Sequence, residues 1–470
     1  MKRREFLHLS AAAAFFVLSG CSTSNSSSNN TDNFSSPLSV PPLLEGEDIN
    51  GVKHYNLTLQ KGSKSFFPGT TTSTYGINGD YLGPTLKLSD GDSVSINYTN
   101  NLDEQTTMHG HGMHLPALMD GGVHQVIDAG TSWSAVYTVK QKACTNWYHP
   151  HLMGKTAEHV YKGLAGMIIL EDDESQSLDL PKTYASDDIP LVLQDRFFDT
   201  NKEFDYSPSQ MQIMRGYNGD NYLVNGVITP FVQVEAKEIR FRILNGSNSS
   251  VYELGFSDGR TFKQIATDNS FLSSPVTLNK VTLSPGERAE IVVDFTNEDD
   301  KEFYLKDFNR SKYFMKVEVT SLQTQTTQTP TSLTTLDIPN IQDAVNSRVF
   351  ELAGMMGSFT INGVSMDKTV INEVVPLNQL EVWEVKNTMN VNHNFHIHAT
   401  HFSIVERNGS SANVAENEKG YKDTVFIPPN ESVKFMVKMV DYADEVNPYM
   451  YHCHFLEHED AGMMGQFSVK

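Results

Sequence analysis

The sequence predicts an all-β protein built from three related Greek-key β-sandwich domains, and its patterning, turns and internal repeat support this fold class. Apolar residues recur with a strand-like spacing over residues 92–99 and again over 291–295, whereas helical periodicity is scarce. Turn sequences such as Asp90-Gly91 break the chain at short intervals, as is typical of sandwiches.

An internal repeat indicates the domain organisation. The phrase SPGE at residues 284–287 leads into an apolar strand, PPNE at 428–431 does the same, and NGV opens a similar unit at 225–227 and at 362–364. A period near ~150 residues indicates repeated sandwiches, because solenoid repeats have periods of only ~20–50 residues. The predicted segments are three sandwiches at residues 41–173, 174–322 and 341–470, with a Gln/Thr-rich linker at 323–340.

The composition is that of a globular protein with a strongly acidic balance. Of 470 residues, 39% are hydrophobic and 20% are charged, and 57 acidic against 36 basic residues give a formal net charge of −21. This charge argues against a nucleic-acid partner, because phosphate backbones are bound by clustered Lys and Arg. No apolar run reaches the ~20 residues that span a bilayer. Three cysteines cannot form a disulfide framework.

Residues 1–20 are predicted to be an export signal rather than part of the fold. Adjacent arginines within residues 2–4 are followed by Phe-Leu and a short apolar stretch, which resembles a twin-arginine signal for the periplasm. The sequence LSGC at 18–21 resembles a lipobox, which would leave a lipidated Cys21 as the membrane anchor. A plain secretory signal with a chance cysteine is the alternative. Residues 21–40, rich in Ser and Asn, are predicted to be a tether.

Four histidine clusters carry the functional signal. They hold 10 of the 16 histidines and read HGH at 109–111, HPH at 149–151, HNFHIH at 393–398 and HCHFLEH at 452–458. Histidines two positions apart on a strand project from the same face, so each pair can contact a metal ion from one side. A single pair has a structural alternative, but four clusters favour a metal site. Imidazole binds Cu, Zn, Fe and Ni, so the histidines alone do not name the metal.

Cys453 points to copper. Two histidines and one thiolate in a trigonal set, with a weak axial thioether, form a blue-copper electron-transfer site. Cys453, His458 and Met463 fall within eleven residues, and His393 can supply the second nitrogen from another strand. Zinc would favour more cysteines or an open water position. Because side chains alternate along a strand, the histidines on either side of Cys453 face a second metal centre.

Taken together, the clusters resemble the four copper motifs of the multicopper oxidases. The first three are HGHG at 109–112, WYHPH at 147–151 and HNFHIH at 393–398, and the fourth is YHCHFLEHEDAGMM at 451–464. The stretch GLAGMIIL at 163–170 and the EHED ending are most similar to bacterial cuprous oxidases of the CueO type and to bacterial laccases. The resemblance implies cupredoxin-like domains and four copper ions: one type 1, one type 2 and two type 3. It also implies that four electrons, drawn singly from a donor, reduce O₂ to two waters.

The resemblance assigns a ligand set to each copper. The type 1 ligands are His393, Cys453, His458 and axial Met463, and the type 2 ligands are His109 and His396. The type 3 pair divides six histidines between two ions: His111, His149 and His454 for one, and His151, His398 and His452 for the other. The trinuclear cluster would then lie between the first and third domains, with the middle domain holding them in register.

Two acidic residues match positions that relay protons in related oxidases. Asp120 lies eleven residues after His109, and Glu459 directly follows His458. The alternatives are a loop carboxylate for Asp120 and a solvated acid for Glu459. The remaining signals favour structural roles: Cys144 is predicted to be a buried free thiol, and four further histidines fall outside the ligand pattern, namely His114, His124, His159 and His401.

The sequence leaves the electron donor open. CueO-type enzymes carry a long Met- and His-rich insert over the type 1 site, whereas the matching region here, residues 337–360, is short and keeps Met355 and Met356. Met389 stands where that type has an aspartate. Thioethers suit Cu(I), so these methionines, with Met366, are candidate Cu(I) ligands, and core packing is the alternative. A small phenol or aromatic amine is the competing donor.

A function of another class is a copper-free binding scaffold. Some cupredoxin-repeat proteins have lost their copper and act in cell division, but the complete ligand set argues against that here. The predicted partners are therefore O₂ and the electron donor, and we expect a monomer.

Overall fold

The computed structural model describes residues 34–470 apart from Gln323, Gln325 and Met356. The predicted signal, Cys21 and most of the predicted tether lie outside the described residues. Strands dominate the described chain, which confirms the predicted all-β, three-domain fold. In this part of the chain, no helix is both long and apolar enough to cross a membrane. The exact domain boundaries remain predictions.

The first sandwich places two histidine-bearing strands side by side. Its sheets have the orders β1-β5-β10-β9-β7 and β2-β3-β6-β8, with β4 paired to β3, so β7 and β9 end the first sheet. Its elements are β1 (Leu43–Leu44), β2 (Glu47–Ile49), β3 (Val52–Lys64), β4 (Thr72–Ile77), β5 (Thr85–Ser89), β6 (Ser93–Asn100), β7 (His109–His111), a 3-10 turn (Ala117–Met119), β8 (Ser132–Thr138), β9 (Cys144–His149), α1 (Thr156–Lys162), β10 (Gly166–Glu171) and α2 (Asp173–Ser177).

The middle sandwich carries no predicted copper ligand. Its sheets have the orders β13-β12-β11-β15-β20-β17-β18 and β14-β22-β21-β16-β19. Its elements are β11 (Asp188–Arg196), α3 (Gln210–Arg215), β12 (Asn221–Val224), β13 (Val227–Ile228), β14 (Phe231–Glu235), β15 (Glu238–Asn245), β16 (Tyr252–Phe256), β17 (Phe262–Ala266), β18 (Phe271–Leu278), β19 (Val281–Leu283), β20 (Arg288–Asp294), β21 (Glu302–Asp307) and β22 (Lys312–Thr320).

The third sandwich repeats the arrangement of the first, with histidine strands β27 and β31 as neighbours. Its sheets have the orders β24-β23-β26-β30-β28 and β25-β32-β31-β27-β29. Its elements are 3-10 turns (Ile341–Asp343, Ser411–Asn413, Glu416–Glu418), β23 (Asn346–Met355), β24 (Ser358–Ile361), β25 (Glu373–Val375), β26 (Leu380–Asn387), β27 (His393–Ile397), β28 (Phe402–Arg407), β29 (Thr424–Ile427), β30 (Ser432–Lys438), β31 (Asp444–His452), α4 (Leu456–Asp460) and β32 (Met464–Val469).

The two strands predicted from apolar spacing, β6 and β20, differ in how their side chains are buried. In β6, Val94, Ile96 and Tyr98 are buried and the residues between them are not, as a half-buried strand requires. The strand predicted near residue 291 is β20, in which Val292 is buried as well as Ile291 and Val293. Val292 packs in a second apolar cluster with Leu333, since both faces of this central strand are covered.

The predicted tether is shorter than residues 21–40. Leu38 donates its backbone N–H to the carbonyl of Phe231 at 2.7 Å, and Pro37 forms a bridge to the same residue. Leu38 and Val40 also pack on the core of the middle sandwich. Residues 34–40 are therefore part of the fold, because their apolar side chains bury against the middle sandwich.

Candidate copper centre

The histidine strands of the first and third sandwiches meet in one buried cluster. In the first sandwich His109 on β7 is the register partner of His149 on β9. In the third, His396 on β27 is the partner of His452 on β31. The alternation of β27 turns Phe395 and Ile397 into the apolar core while the histidines point out of it. All ten clustered histidines are buried.

Ring contacts join histidines from the two sandwiches. The ring of His109 stacks on that of His398 with centroids 3.9 Å apart, and the ring of His111 stacks on that of His396 at 3.7 Å. The Nε2 atom of His452 lies 3.1 Å from Nε2 of His151 and 3.2 Å from Nε2 of His398. The ring of His454 lies 4.9 Å from that of His111 and 5.2 Å from that of His149. The structure thus brings together all eight histidines predicted for the type 2 and type 3 positions.

The tautomers of these rings suit metal binding. His109 Nδ1 donates to the carbonyl oxygen of Asp120 at 2.7 Å, and His149 Nδ1 donates to that of Pro150 at 2.8 Å. His396 Nδ1 donates to the carbonyl oxygen of Asp423 at 2.9 Å. The Nε2 atom of each of these three rings is buried without a hydrogen-bond partner in the described chain. A buried acceptor without a partner, on a ring whose other nitrogen is fixed, is the arrangement of a metal ligand.

The electrostatics also favour a cation in this cluster. Burial lowers the pKa of most of these rings well below its ordinary value, and the neighbouring imidazoles lower it further. Burial lowers the pKa of His151 to about 4. The rings with a lowered pKa are therefore neutral, which is the protonation state that binds a metal.

A second site lies beside the cluster and contains the cysteine. Cys453 Sγ is 3.4 Å from His393 Nδ1 and 3.6 Å from His458 Nδ1, and the two Nδ1 atoms are 3.1 Å apart. Met463 is buried, and its backbone carbonyl accepts a hydrogen bond from the Cys453 N–H. Burial raises the pKa of the Cys453 thiol to about 12, so a bound cation must displace the proton. Two nitrogens and one sulfur at these distances fit copper, and Met463 packs in the same core cluster as Cys453.

Both predicted relay acids contact histidines of the cluster on the side away from its centre. Asp120 Oδ2 lies 2.7 Å from His398 Nδ1. The carboxylate of Glu459 lies 3.5 Å from His151 Nδ1 and 3.3 Å from His452 Nδ1. Burial raises the pKa of Asp120 and raises that of Glu459 well above its usual range.

Sequence reasoning did not single out two charged residues that hold the cluster. Asp423 Oδ1 accepts a hydrogen bond from His111 Nε2 at 2.9 Å, which leaves His111 Nδ1 to face the cluster. Arg288 from the middle sandwich binds both oxygens of Asp423, at 2.8 and 2.6 Å. Burial alone would raise the pKa of Asp423, but the Arg288 charge and His111 hold it well below its usual range. The one available signal was that Arg288 directly follows the repeated phrase SPGE.

The same phrase brings the middle sandwich against the cluster. Gly286 has φ +83°, and a Cβ at this position would come within 3.1 Å of the His454 ring. Asn394 in turn donates to the Pro285 carbonyl at 2.8 Å and accepts the backbone N–H of His454 at 2.6 Å. The glycine is therefore required by both backbone conformation and space.

The candidate Cu(I) methionines do not all converge. Met389 Sδ lies 3.1 Å from His393 Nε2, so it covers the outer edge of the cysteine site. Met366 instead packs in a separate apolar cluster with Val123, so the expectation that it converges on this edge is wrong. Met355 ends β23 and is described only in its backbone, and Met356 lies outside the described residues. The sequence reasoning missed Met214, whose carbonyl oxygen lies 3.3 Å from His458 Nε2.

The other predicted histidines and Cys144 have structural surroundings. Nδ1 of His401 lies 3.2 Å from Nε2 of His114, and His159 contacts Thr106 Oγ1 at 3.2 Å. His124 contacts Gln466. None of these four is in a described group of three or more metal-ligating side chains. Cys144 is buried and free, as predicted.

An all-β, three-domain fold with a buried imidazole cluster beside a Cys-His-His-Met set defines a copper-dependent oxidoreductase with cupredoxin-like domains. Comparison with known proteins supplies the family. Three family models, each described as multicopper oxidase, match residues 58–175, 187–329 and 327–470. The chain is 36% identical over 434 residues to a multicopper oxidase of Staphylococcus haemolyticus, covering 91% of each protein.

A solved structure and a second relative are also similar over most of the chain. CueO, a laccase-like multicopper oxidase of Ochrobactrum sp., has a TM-score of 0.86 and 35% identity, covering 92% of this chain and 100% of that one. The cell division protein FtsP of Xenorhabdus nematophila is 35% identical over 449 residues, covering 92% of each. The chain belongs to the multicopper oxidase family. It is an oxidoreductase of the kind that uses copper, O₂ and a reducing substrate.

The structural role of the buried ion pair between Arg288 and Asp423 can be tested by its effect on stability. In copper-free protein, Arg288→Ala should lower the free energy of unfolding by about 3–5 kcal/mol, because it leaves a buried carboxylate without its cation. Urea denaturation followed by tryptophan fluorescence measures the change. The control is Lys301→Ala, which breaks the exposed Lys301–Glu298 pair and should change stability by less than ~0.5 kcal/mol. Equal changes in the free energy of unfolding for the two variants would contradict a structural role for the Arg288–Asp423 pair.

Proposed function

We propose that the protein is a four-copper oxidase that couples four one-electron oxidations to the reduction of O₂ to two waters, with Cu(I) as the main donor. The observation that carries this proposal is the position of Cys453. It lies with His393 and His458 in one site, while its sequence neighbours His452 and His454 lie in the histidine cluster. One strand end thus touches both sites. Copper held by these residues would supply one-electron chemistry at the first site and the reduction of oxygen at the second.

The residues that would hold the ions follow the predicted sets. His393, Cys453, His458 and Met463 would hold the type 1 ion, and His109 and His396 the type 2 ion. The type 3 ions would be held by two groups: His111, His149 and His454, and His151, His398 and His452. In the second type 3 group, His452 Nε2 lies 3.1 Å from His151 Nε2 and 3.2 Å from His398 Nε2. Other close groups, such as His109, His111 and His149, combine residues of different predicted sets because all these histidines lie close together.

The acidic residues are placed to move protons. Oxygen reduction consumes four protons, and only ionisable side chains or water can bring them to a buried site. Asp120 Oδ1 and both oxygens of Glu459 are buried without a hydrogen-bond partner in the described chain, while each carboxylate also contacts a cluster histidine. Asp120 would serve the side of His398, and Glu459 the side of His151 and His452.

Softness and charge favour Cu(I) as the donor. Met389 places a thioether against His393 at the edge of the type 1 set. A net charge of −21 attracts cations, although screening over ~8 Å at physiological salt limits the range. Export through the twin-arginine-like signal, with anchoring through Cys21, would place a monomeric enzyme where it meets periplasmic copper. Oxidation to Cu(II) would then support copper tolerance.

Two other functions have specific support. The similar CueO of Ochrobactrum sp. is described as acting on lignin model compounds and lignosulfonate, which favours a laccase-like oxidase of phenols or aromatic amines. The similarity to FtsP favours a copper-free scaffold in cell division. The complete set of buried ligands argues for the oxidase over the scaffold. Copper analysis with a visible spectrum discriminates them, since an oxidase holds about four copper ions and a scaffold holds none.

Removal of the single thiolate of the type 1 set tests the electron path. Cys453→Ser should abolish the strong blue absorption band and all donor oxidation, because no other described cysteine reaches this site. Most of the remaining copper should stay bound, since the histidine cluster is untouched. Metal analysis and the visible spectrum measure both, with Cys144→Ser as the control that keeps the band. A Cys453→Ser protein that stays blue would falsify the assignment.

Neutral replacements of the two acids test the proton relay. Asp120→Asn and Glu459→Gln should keep the copper content but slow the reoxidation of the fully reduced enzyme by O₂ about tenfold or more, because a positioned acid typically contributes ~10²–10⁴-fold. Stopped-flow absorbance after mixing with O₂ gives the rate. The control is Asp367→Asn, an exposed turn carboxylate. If both variants reoxidise at the parent rate, the acids have only a structural role.

The donor preference is tested at Met389. The parent should oxidise Cu(I) with a higher specificity constant than simple phenols, while still oxidising phenols without added copper. Met389→Leu should raise the KM for Cu(I) several-fold because it removes the soft thioether. Leucine has a similar volume to methionine, so the packing should be retained. Oxygen consumption with each donor measures this, and Met315→Leu in the middle sandwich is the control. Met355→Ala with Met389→Ala extends the test. If the specificity constants for phenols greatly exceed that for Cu(I), and the Met389 variants oxidise Cu(I) like the parent, the protein is a laccase.

A further inference from the structure

A cavity beside the type 1 ligand set has a charge opposite to that of the protein. It has a volume of about 570 Å³, within the range of small-molecule sites, and lies between the middle and third sandwiches. Arg215 and Arg310 line it, and none of its lining residues is Asp or Glu. In a chain with a net charge of −21, this is a local concentration of positive charge. Such a cavity favours an anion over a metal cation.

The two arginines are presented differently. Arg310 is anchored: its Nη1 donates to the Gly219 carbonyl at 3.0 Å and lies 3.6 Å from the buried carboxylate of Asp195. Arg215 ends α3, is exposed, and makes no ion pair or hydrogen bond with the described residues through its guanidinium. A guanidinium provides five donors in a fork that matches a carboxylate. Arg215 is therefore available to bind an anionic ligand.

The cavity is joined directly to the type 1 histidines. Asn392, which lines it, is bonded to His393. Arg215 is bonded to Met214, whose carbonyl accepts a hydrogen bond from His458 Nε2 at 3.3 Å. Val251 lines the cavity and packs against the core cluster that contains Cys453. A molecule bound here is separated from His393 by Asn392, and from His458 by Arg215 and Met214.

The rest of the lining suits an aromatic ring. Val251, Phe426 and Pro428 offer apolar contacts, and Ser249, Asn218 and Asn309 offer hydrogen-bonding groups around them. Eight of the eleven lining residues are polar or charged, so the apolar contacts come from one small group of side chains. That group, the exposed guanidinium of Arg215 and the neighbouring predicted type 1 ligands favour an oxidisable aromatic anion.

We propose that this cavity binds phenols that carry a carboxylate, with Arg215 holding the carboxylate and Val251 and Phe426 contacting the ring. This inference rests on the proposed oxidase function. Each phenol gives one electron to the type 1 site and one proton to solvent, and leaves as a phenoxyl radical. Four such steps supply the electrons that convert O₂ and four protons to two waters. Cu(I) and the aromatic acid then use different entrances, Met389 and the Arg215 cavity.

Direct binding tests the site without turnover. The probe is a dimethoxybenzoate that lacks the phenol group, titrated calorimetrically into the copper-loaded protein. Arg215→Gln should weaken its binding about fivefold to tenfold, because a charge-assisted hydrogen bond at an exposed site is worth less than a buried one. The control is Lys368→Gln, an exposed lysine outside the cavity lining, which should leave the Kd within about twofold. Absence of binding, or equal binding by parent and Arg215→Gln, overturns the site.

Turnover then separates this inference from the proposed function. Oxygen uptake is measured with a dimethoxyphenol that carries a carboxylate and with its methyl ester. The ratio of their kcat/KM values should favour the acid, fall about fivefold to tenfold in Arg215→Gln, fall at high salt, and stay constant in Lys368→Gln. If Cu(I) drives oxygen uptake but the ester is preferred or the ratio is unchanged in Arg215→Gln, the inference fails and the oxidase stands. If the benzoate binds through Arg215 but no donor drives oxygen uptake, the anion site stands and the oxidase fails.

Discussion

Everything in this structure depends on burying imidazoles against one another with their acceptor nitrogens unpaired. Outer nitrogens such as His109 Nδ1 and His396 Nδ1 donate to backbone carbonyls, so the opposite Nε2 atoms face the cluster without a hydrogen-bond partner in the described chain. An unpaired buried polar atom costs about 1–3 kcal/mol. A bound cation removes that cost at several atoms together. Metal binding and folding of the site are therefore coupled.

The middle sandwich makes this arrangement possible although it supplies none of the predicted ligands. Arg288 binds Asp423, which fixes His111, and the Pro285 carbonyl holds Asn394, which fixes the segment of His454. The contacts connect ligands from both outer sandwiches to one loop. The positions of the predicted ligands are thus set in part by a domain that contributes only charge and shape.

The same domain also shapes access to the type 1 site. Met214, at the end of α3, covers His458, while the next residue, Arg215, faces the cavity. On the other side, Met389 covers His393. A thioether and an exposed guanidinium thus lie on different sides of the cysteine site.

The fold class and the predicted copper ligands followed from the sequence alone. Copper was indicated by the short loop from Cys453 to Met463, and shared faces within clusters such as 109–111 follow from the period of two in a strand. These are local properties, and they do not depend on how the domains meet. The all-β fold class followed for the same reason. The placement of residues 34–40 did not, because they pack against the middle sandwich, which is distant in sequence.

Only the tertiary structure decided which nitrogen of each ring faces the cluster and which charges surround it. Arg288 and Asp423 are 135 positions apart, and His111 and Asp423 are 312 apart, so no spacing in the sequence connects them. Met366 was expected at the type 1 edge and lies elsewhere, whereas Arg215 gave no signal at all. The physical reason is that hydrogen-bond partners and burial depend on which surfaces pack together. The sequence by itself determined the ligand types, and the packing of three sandwiches decided their tautomers, their charged supports and their access.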